Sequence, residues 1–168
     1  DLQGTYQHLA QLQIYKFISI TFTVSDNTDA GYLDCYIQLT PVAKQSFSIE
    51  TEGTHSSGDL GIGANLIYLN KNTFKGAEIL EIKFKGALEA QKTLISTSES
   101  VEPLDVFNTY EVGPETKIYI PKFVFPIIAK RIPKRYNPKT TFAIAYNYQH
   151  RADYTRTIAK GSFGYEWK

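Results

Sequence analysis

The side chains able to do chemistry are few and scattered. The three histidines, His8, His55 and His150, lie far apart, and none falls in a His-x-x-x-His or Cys/His spacing that would hold zinc. His55 precedes Ser56 and Ser57 without the Gly-x-Ser-x-Gly context of a hydrolase nucleophile. Gly58-Asp59-Leu60-Gly61-Ile62-Gly63 is glycine-rich but lacks the Gly-Lys-Ser/Thr ending of a phosphate loop, so it reads as a flexible loop between strands. The single cysteine, Cys35, cannot form an internal disulfide, and its strand parity points it inward as a small buried hydrophobe. Asp26 and Asp29 put two carboxylates in one turn. They fit an Asx-type turn, or a calcium ion shared with a neighbouring subunit. With no acid/base pair, metal set or nucleophile, no enzymatic activity is expected.

One run of charge stands out. Between Lys130 and Lys139 the chain carries Lys130, Arg131, Lys134, Arg135 and Lys139 with no acidic residue, and Pro133 and Pro138 keep the run out of a helix. Tyr136 offers a ring for base stacking while the cations neutralise phosphates, so the segment is the candidate nucleic-acid or subunit-interface site. No motif for sequence-specific readout accompanies it. The net charge of +1 hides a gradient: residues 117–168 hold 11 Lys/Arg against 2 Asp/Glu, while the first 60 hold 2 against 7. Such asymmetry allows an acidic and a basic face on one domain, the alternative being a coincidence of solvated surfaces.

The elements that must position these residues are strands. The chain has 168 residues, and aromatics make up 14% of it, with Val, Ile and Thr frequent. Ile18, Ile20, Phe22 and Val24 alternate with Ser19, Thr21 and Thr23, the period of a half-buried strand. After a turn over residues 25–31, Leu33, Cys35, Ile37 and Leu39 fall on one face and Pro41 ends the strand. Phe47 and Ile49 mark a short third strand, and 51–62 reads as a polar loop. Residues 64–69 and 79–85 read as strands and 87–94 as the one short helix. Residues 95–115 read as largely loop, with a strand around Val106. Residues 118–128 form an irregular strand broken by Pro121 and Pro126. Phe142, Ile144, Tyr146 and Tyr148 alternate, as do Phe163, Tyr165 and Trp167. Some eight strands with few helices predict an all-β, two-sheet antiparallel β-sandwich in a single domain over 1–168. The eight-stranded jelly roll is the leading arrangement, and an immunoglobulin-like sandwich is its rival. No run of 18 apolar residues exists, so no membrane-spanning helix and no membrane partner are expected. No secretory leader is visible in the residues given.

Leu9-Ala10, the run Tyr15-Lys16-Phe17-Ile18-Ser19-Ile20-Thr21-Phe22, Thr28-Asp29-Ala30-Gly31 and the strand after it resemble the opening strands of jelly-roll coat proteins of small icosahedral plant viruses, of the luteovirus, sobemovirus and tombusvirus type. The resemblance covers about 30 of the 168 residues; nothing beyond Pro41 matches, and the Arg-rich arm of those coats is missing. It implies a capsid subunit of the virion. Such a subunit self-assembles under symmetry into a closed homo-oligomeric shell around an RNA or single-stranded DNA genome, and calcium at subunit interfaces is the one cofactor it would admit. The alternative is another kind of binding sandwich: a carbohydrate-binding or toxin-type jelly roll using Tyr32, Tyr36, Tyr146 and Trp167 as ring platforms, or a viral movement protein.

Overall fold

The computed structural model describes residues 2–24, 32–56, 59–90, 107–124, 138–151 and 153–167. A helix, α1 (Leu2–Gln11), opens the chain and is followed by β1 (Tyr15–Val24), β2 (Leu33–Pro41), β3 (Gln45–Ser56), β4 (Asp59–Lys71), β5 (Ile79–Ala90), β6 (Thr109–Ile120), β7 (Lys139–His150) and β8 (Thr155–Glu166). The chain is all-β with two antiparallel sheets, as the residue pattern predicts: a β1–β2 hairpin and a six-stranded sheet in the order β3-β4-β5-β6-β7-β8. Within each sheet, neighbouring strands are consecutive in the chain. The crossovers that define a jelly roll do not occur among the described strands.

The hairpin parity is as expected. Ile18 pairs with Leu39, Ile20 with Ile37, Phe22 with Cys35 and Val24 with Leu33, so the apolar positions of both strands share one face. Helix α1 packs on β1. Its cover is partial, which corrects the expectation for Cys35: the thiol is exposed, because no described element lies over that end of the hairpin.

Several elements are longer than their sequence signals. Residues 51–56 and 59–62, expected in a loop, form the ends of β3 and β4, which stay paired as far as Ser56 and Asp59. Residues 87–90, expected in a helix, continue β5, and 109–115 begin β6. The helix Leu2–Gln11 has no counterpart in the expectations. Pro114 sits inside β6 opposite Phe84 of β5; on its β7 side the register skips from Val112–Tyr148 to Glu115–Ala145. A proline has no N–H to donate, so the ladder yields there and resumes on the other side.

The β4–β5 turn is held by its own polar groups. Asn72, Lys75 and Ala77 all have left-handed φ, at 64°, 66° and 61°, a strained choice for residues with a Cβ. The Ala77 N–H donates to Asn72 Oδ1 at 2.9 Å, the Gly76 N–H to Glu78 Oε2 at 2.8 Å and the Thr73 N–H to the Glu78 carbonyl at 3.1 Å. These bonds hold the turn against that strain.

Candidate functional surface

Register assigns every residue of the six-stranded sheet to one of two faces, because paired residues point the same way and successive residues alternate. On β4, Leu60, Ile62, Ala64, Leu66 and Tyr68 share a face, with Leu88, Gly86, Phe84 and Ile82 beside them on β5. On that same face β6 adds Tyr110, Val112, Pro114, Thr116 and Ile118, and β7 adds His150, Tyr148, Tyr146, Ile144 and Phe142. The edge strands contribute Phe47, Ile49, Thr51, Gly53 and His55 from β3, and Thr157, Ala159, Gly161, Phe163 and Tyr165 from β8. No Asp, Glu, Lys or Arg of the six strands lies on this face.

The opposite face holds all the charge. Glu50 and Glu52 lie on β3, Glu81, Lys83, Lys85 and Glu89 on β5, Glu111, Glu115 and Lys117 on β6, and Arg156 and Lys160 on β8. The charges are interlaced. Lys85 Nζ lies 3.1 Å from Glu111 Oε1; Lys117 Nζ lies 2.9 Å from Glu115 and 3.8 Å from Glu81; Arg151, just past β7, lies 3.3 Å from Glu89. Asn147 Nδ2 donates to Glu111 Oε1 at 3.2 Å, and Arg156 donates to Gln149 Oε1 at 2.9 Å. The bond to Glu115 is the largest influence on Lys117; desolvation opposes it, but with Glu81 also near, the ammonium is held above its ordinary range.

The burial is inverted relative to a water-soluble sheet. Ile49 is 74% exposed and Ile144 and Phe47 72%, while on the charged face Asn65 and Gln149 are 6% exposed and Thr109 3%. The only buried hydrophobic residue among those described is Ala77. Most glycines register the same asymmetry. A Cβ at Gly53, Gly86 or Gly161, on the charge-free face, would meet nothing within 4 Å, whereas at Gly113, on the charged face, it would stand 2.6 Å from the Tyr146 carbonyl oxygen; Gly164, on the charged face of the edge strand β8, is open. The charged face is therefore the crowded, inner side and the apolar face the open, outer one. Three inner polar atoms, Asn65 Oδ1, Asn147 Oδ1 and Arg151 Nε, are buried without a hydrogen-bond partner among the described protein atoms.

Aromatic rings gather at both ends of the outer face. At the end nearest the β7–β8 turn, the Tyr110 ring lies 6.0 Å from Tyr148 and 5.1 Å from His150. A hydrogen bond with Tyr148 raises the Tyr110 hydroxyl above its ordinary range. At the other end, Phe123 lies 5.0 Å from Tyr165 and 6.3 Å from Trp167, and Phe163 lies 4.7 Å from Tyr165 and 4.8 Å from Phe142.

Of the expected nucleic-acid or interface segment, only Lys139 falls within the described residues. It is the first residue of β7, half-buried and paired with Glu166. Lys130, Arg131, Lys134, Arg135 and Tyr136 lie outside them, as do Asp26 and Asp29. Among the described residues no three His, Cys, Asp or Glu side chains converge on a metal position. The rings named for sugar stacking are not gathered on one platform. Tyr32 and Tyr36 belong to the hairpin region, and Tyr146 stands opposite Ala159, well along β8 from Trp167. The two-faced division of the sheet is not evident from sequence where 51–56, 59–62 and 109–115 carry a loop-like composition. The signal was the strict confinement of charge to alternate positions. Comparisons with protein families, with curated proteins and with solved structures find no match.

Proposed function

We propose that β3–β8 form part of the wall of a membrane-spanning β-barrel, with the charge-free face toward lipid and the charged face toward an aqueous interior. The observation that carries this reading is the inversion of burial: an uncharged apolar face left open while carboxylates, lysines and amides crowd the other. In water the hydrophobic effect drives the opposite arrangement. In a bilayer an apolar outside and a polar inside are what the solvent demands, and an up-and-down antiparallel meander is the architecture that meets it.

The dimensions agree. Strands of 12 or 13 residues extend about 40 Å at ~3.3 Å per residue. Tilted by about 45°, they cross roughly 28 Å, close to the ~30 Å hydrocarbon thickness. The ring clusters at the two ends fall where aromatic girdles sit in such walls. Buried amide oxygens on the inner face suit a surface facing water. No helix among the described residues is long and apolar enough to span a membrane.

This reading departs from the coat-protein expectation, whose support is confined to the first two strands. A shell would also cover an apolar face, with copies of the chain in place of lipid, and the deciding experiment tells the two apart. Trp167 is the only tryptophan and sits at one ring cluster. The chain is refolded into phosphatidylcholine vesicles. The wall reading expects co-flotation with lipid, a blue-shifted Trp167 emission, and quenching by lipids brominated near the head group. Uniform particles in lipid-free buffer, with Trp167 emission unchanged by vesicles, would overturn it in favour of the shell.

A further inference from the structure

The inner face is not uniform along its length. Its middle carries the ion-pair ladder, but its foot, beside the β4–β5 turn, carries Leu69, Ile79 and Tyr119. The α1–β1 turn faces that foot: Leu12 and the strand residues Leu69, Ile79 and Tyr119 line one cavity of about 380 Å³. A neighbouring cavity of about 300 Å³ lies between the same end of α1 and the Pro121–Lys122 and Pro138–Lys139 segments that flank β6 and β7.

The turn is built to hold this position. The Leu12 N–H reaches the Leu9 carbonyl at 3.3 Å and the Gln13 N–H the Ala10 carbonyl at 3.2 Å, tightening the last turn of α1. Gln13 then takes a left-handed φ of 57° that turns the chain out of the helix. The Val42 N–H donates to the Ile14 carbonyl at 2.9 Å, and the Lys71 N–H donates to the Lys44 carbonyl at 2.7 Å. Those two bonds tie the residue after the turn to the end of β2, and the β2–β3 link to the end of β4. Half-buried Leu12 therefore stands over one end of the trough, where Leu69, Ile79 and Tyr119 lie among Lys71, Glu81, Lys139 and Glu166.

We propose that the Gln11–Gln13 turn is a lid on the foot of the inner face, with Leu12 as its apolar stopper against Leu69, Ile79 and Tyr119. The proposal rests on the wall reading for what the lid closes, an aqueous interior. With Lys71, Glu81, Lys139 and Glu166 lining the same cavity, the closure is steric: the turn narrows the path to the inner face.

The test uses the full chain carrying Cys35→Ser, so that introduced thiols are the only ones. Thr141→Cys lies in the cavity under the turn, and Ala145→Cys lies higher on the same face. Each is labelled with a charged, membrane-impermeant maleimide, with and without Leu12→Ser. The lid predicts slow labelling at Thr141→Cys, at least tenfold faster labelling when Leu12→Ser is added, and little change at Ala145→Cys. A Leu12→Trp variant slows Thr141→Cys further. Equal rates with and without Leu12→Ser, or equal acceleration at both sites, would overturn the lid. Labelling works in detergent as well as in vesicles, so failure to enter vesicles sinks the wall reading separately from the lid.

Discussion

A lysine at Ile144 separates a sheet that faces lipid from one that faces water. Ile144 is among the most exposed apolar residues of the sheet, so in a water-soluble protein Ile144→Lys changes stability by no more than about 0.5 kcal/mol. Near the middle of a bilayer the same change costs about 2–4 kcal/mol. We expect Ile144→Lys to lower the folded yield in vesicles at least tenfold, while Lys160→Ile on the opposite face does not; urea titrations of the refolded chain measure both. Glu78 makes a second residue-scale prediction. Burial alone would raise its carboxyl, but N–H groups of Glu78, Gly76 and Phe74, with Lys122 nearby, outweigh that and hold it below its usual range. The folded chain therefore keeps Glu78 ionised at lower pH than the unfolded chain does. Its contribution is present above the ordinary carboxylate range and disappears as pH falls through the depressed value. Glu78→Gln should cost about 1 kcal/mol at neutral pH, and thermal melts at descending pH should show the two proteins converging.

The meander makes predictions about ladders and faces. Lys117 bridges Glu115 on its own strand and Glu81 on β5, each of these side chains a quarter to a third exposed. Partial exposure limits the pair to roughly 0.5–1 kcal/mol. A double-mutant cycle of Lys117→Met and Glu115→Gln should return a coupling of that size, shrinking in high salt. Glycines test the faces directly. Gly113→Ala drives a Cβ against the Tyr146 backbone and should cost about 1–3 kcal/mol. Gly86→Ala projects into open space and should be neutral or mildly stabilising, since it also restricts the unfolded chain. Comparable losses from both would show that the two faces are equally packed. The strands whose apolar residues alternate without interruption, such as Ile18 to Val24 and Phe142 to Tyr148, were legible from sequence. Those thinned by glycine and threonine, such as 51–62, were not, because a residue without a large apolar side chain carries no periodic signal. The β-ladder recruits such residues through backbone hydrogen bonds that sequence patterning does not register.

At the scale of the molecule, large apolar side chains of the outer face such as Phe47, Ile49, Phe84 and Ile144 are at least half exposed. Covering them, at about 25 cal/mol per Å² of apolar area, is a large driving force. Six antiparallel strands are fewer than the smallest closed membrane barrel uses, so the wall reading requires edges β3 and β8 to be completed by further strands. Refolding should therefore depend on an apolar environment. Circular dichroism in buffer alone should show aggregation or loss of β-signal, and detergent micelles should restore a cooperative transition.

By itself the sequence determined the strand period, the face-sharing of the first hairpin and the all-β class. Those follow from side-chain alternation and residue type, which are local. The tertiary structure alone decided which strand neighbours which, and so that the charges of β5 and β6 meet in one ladder while Leu66, Phe84 and Ile144 share a charge-free face. It also decided which face is crowded. Parity names two faces, but only the packing of neighbouring strands sets which is inner, and here the inner one is polar. A sequence reader assumes that apolar residues point inward because water is the usual solvent. The burial of Asn65 and Gln149 beside exposed Ile49 and Ile144 reverses that assumption.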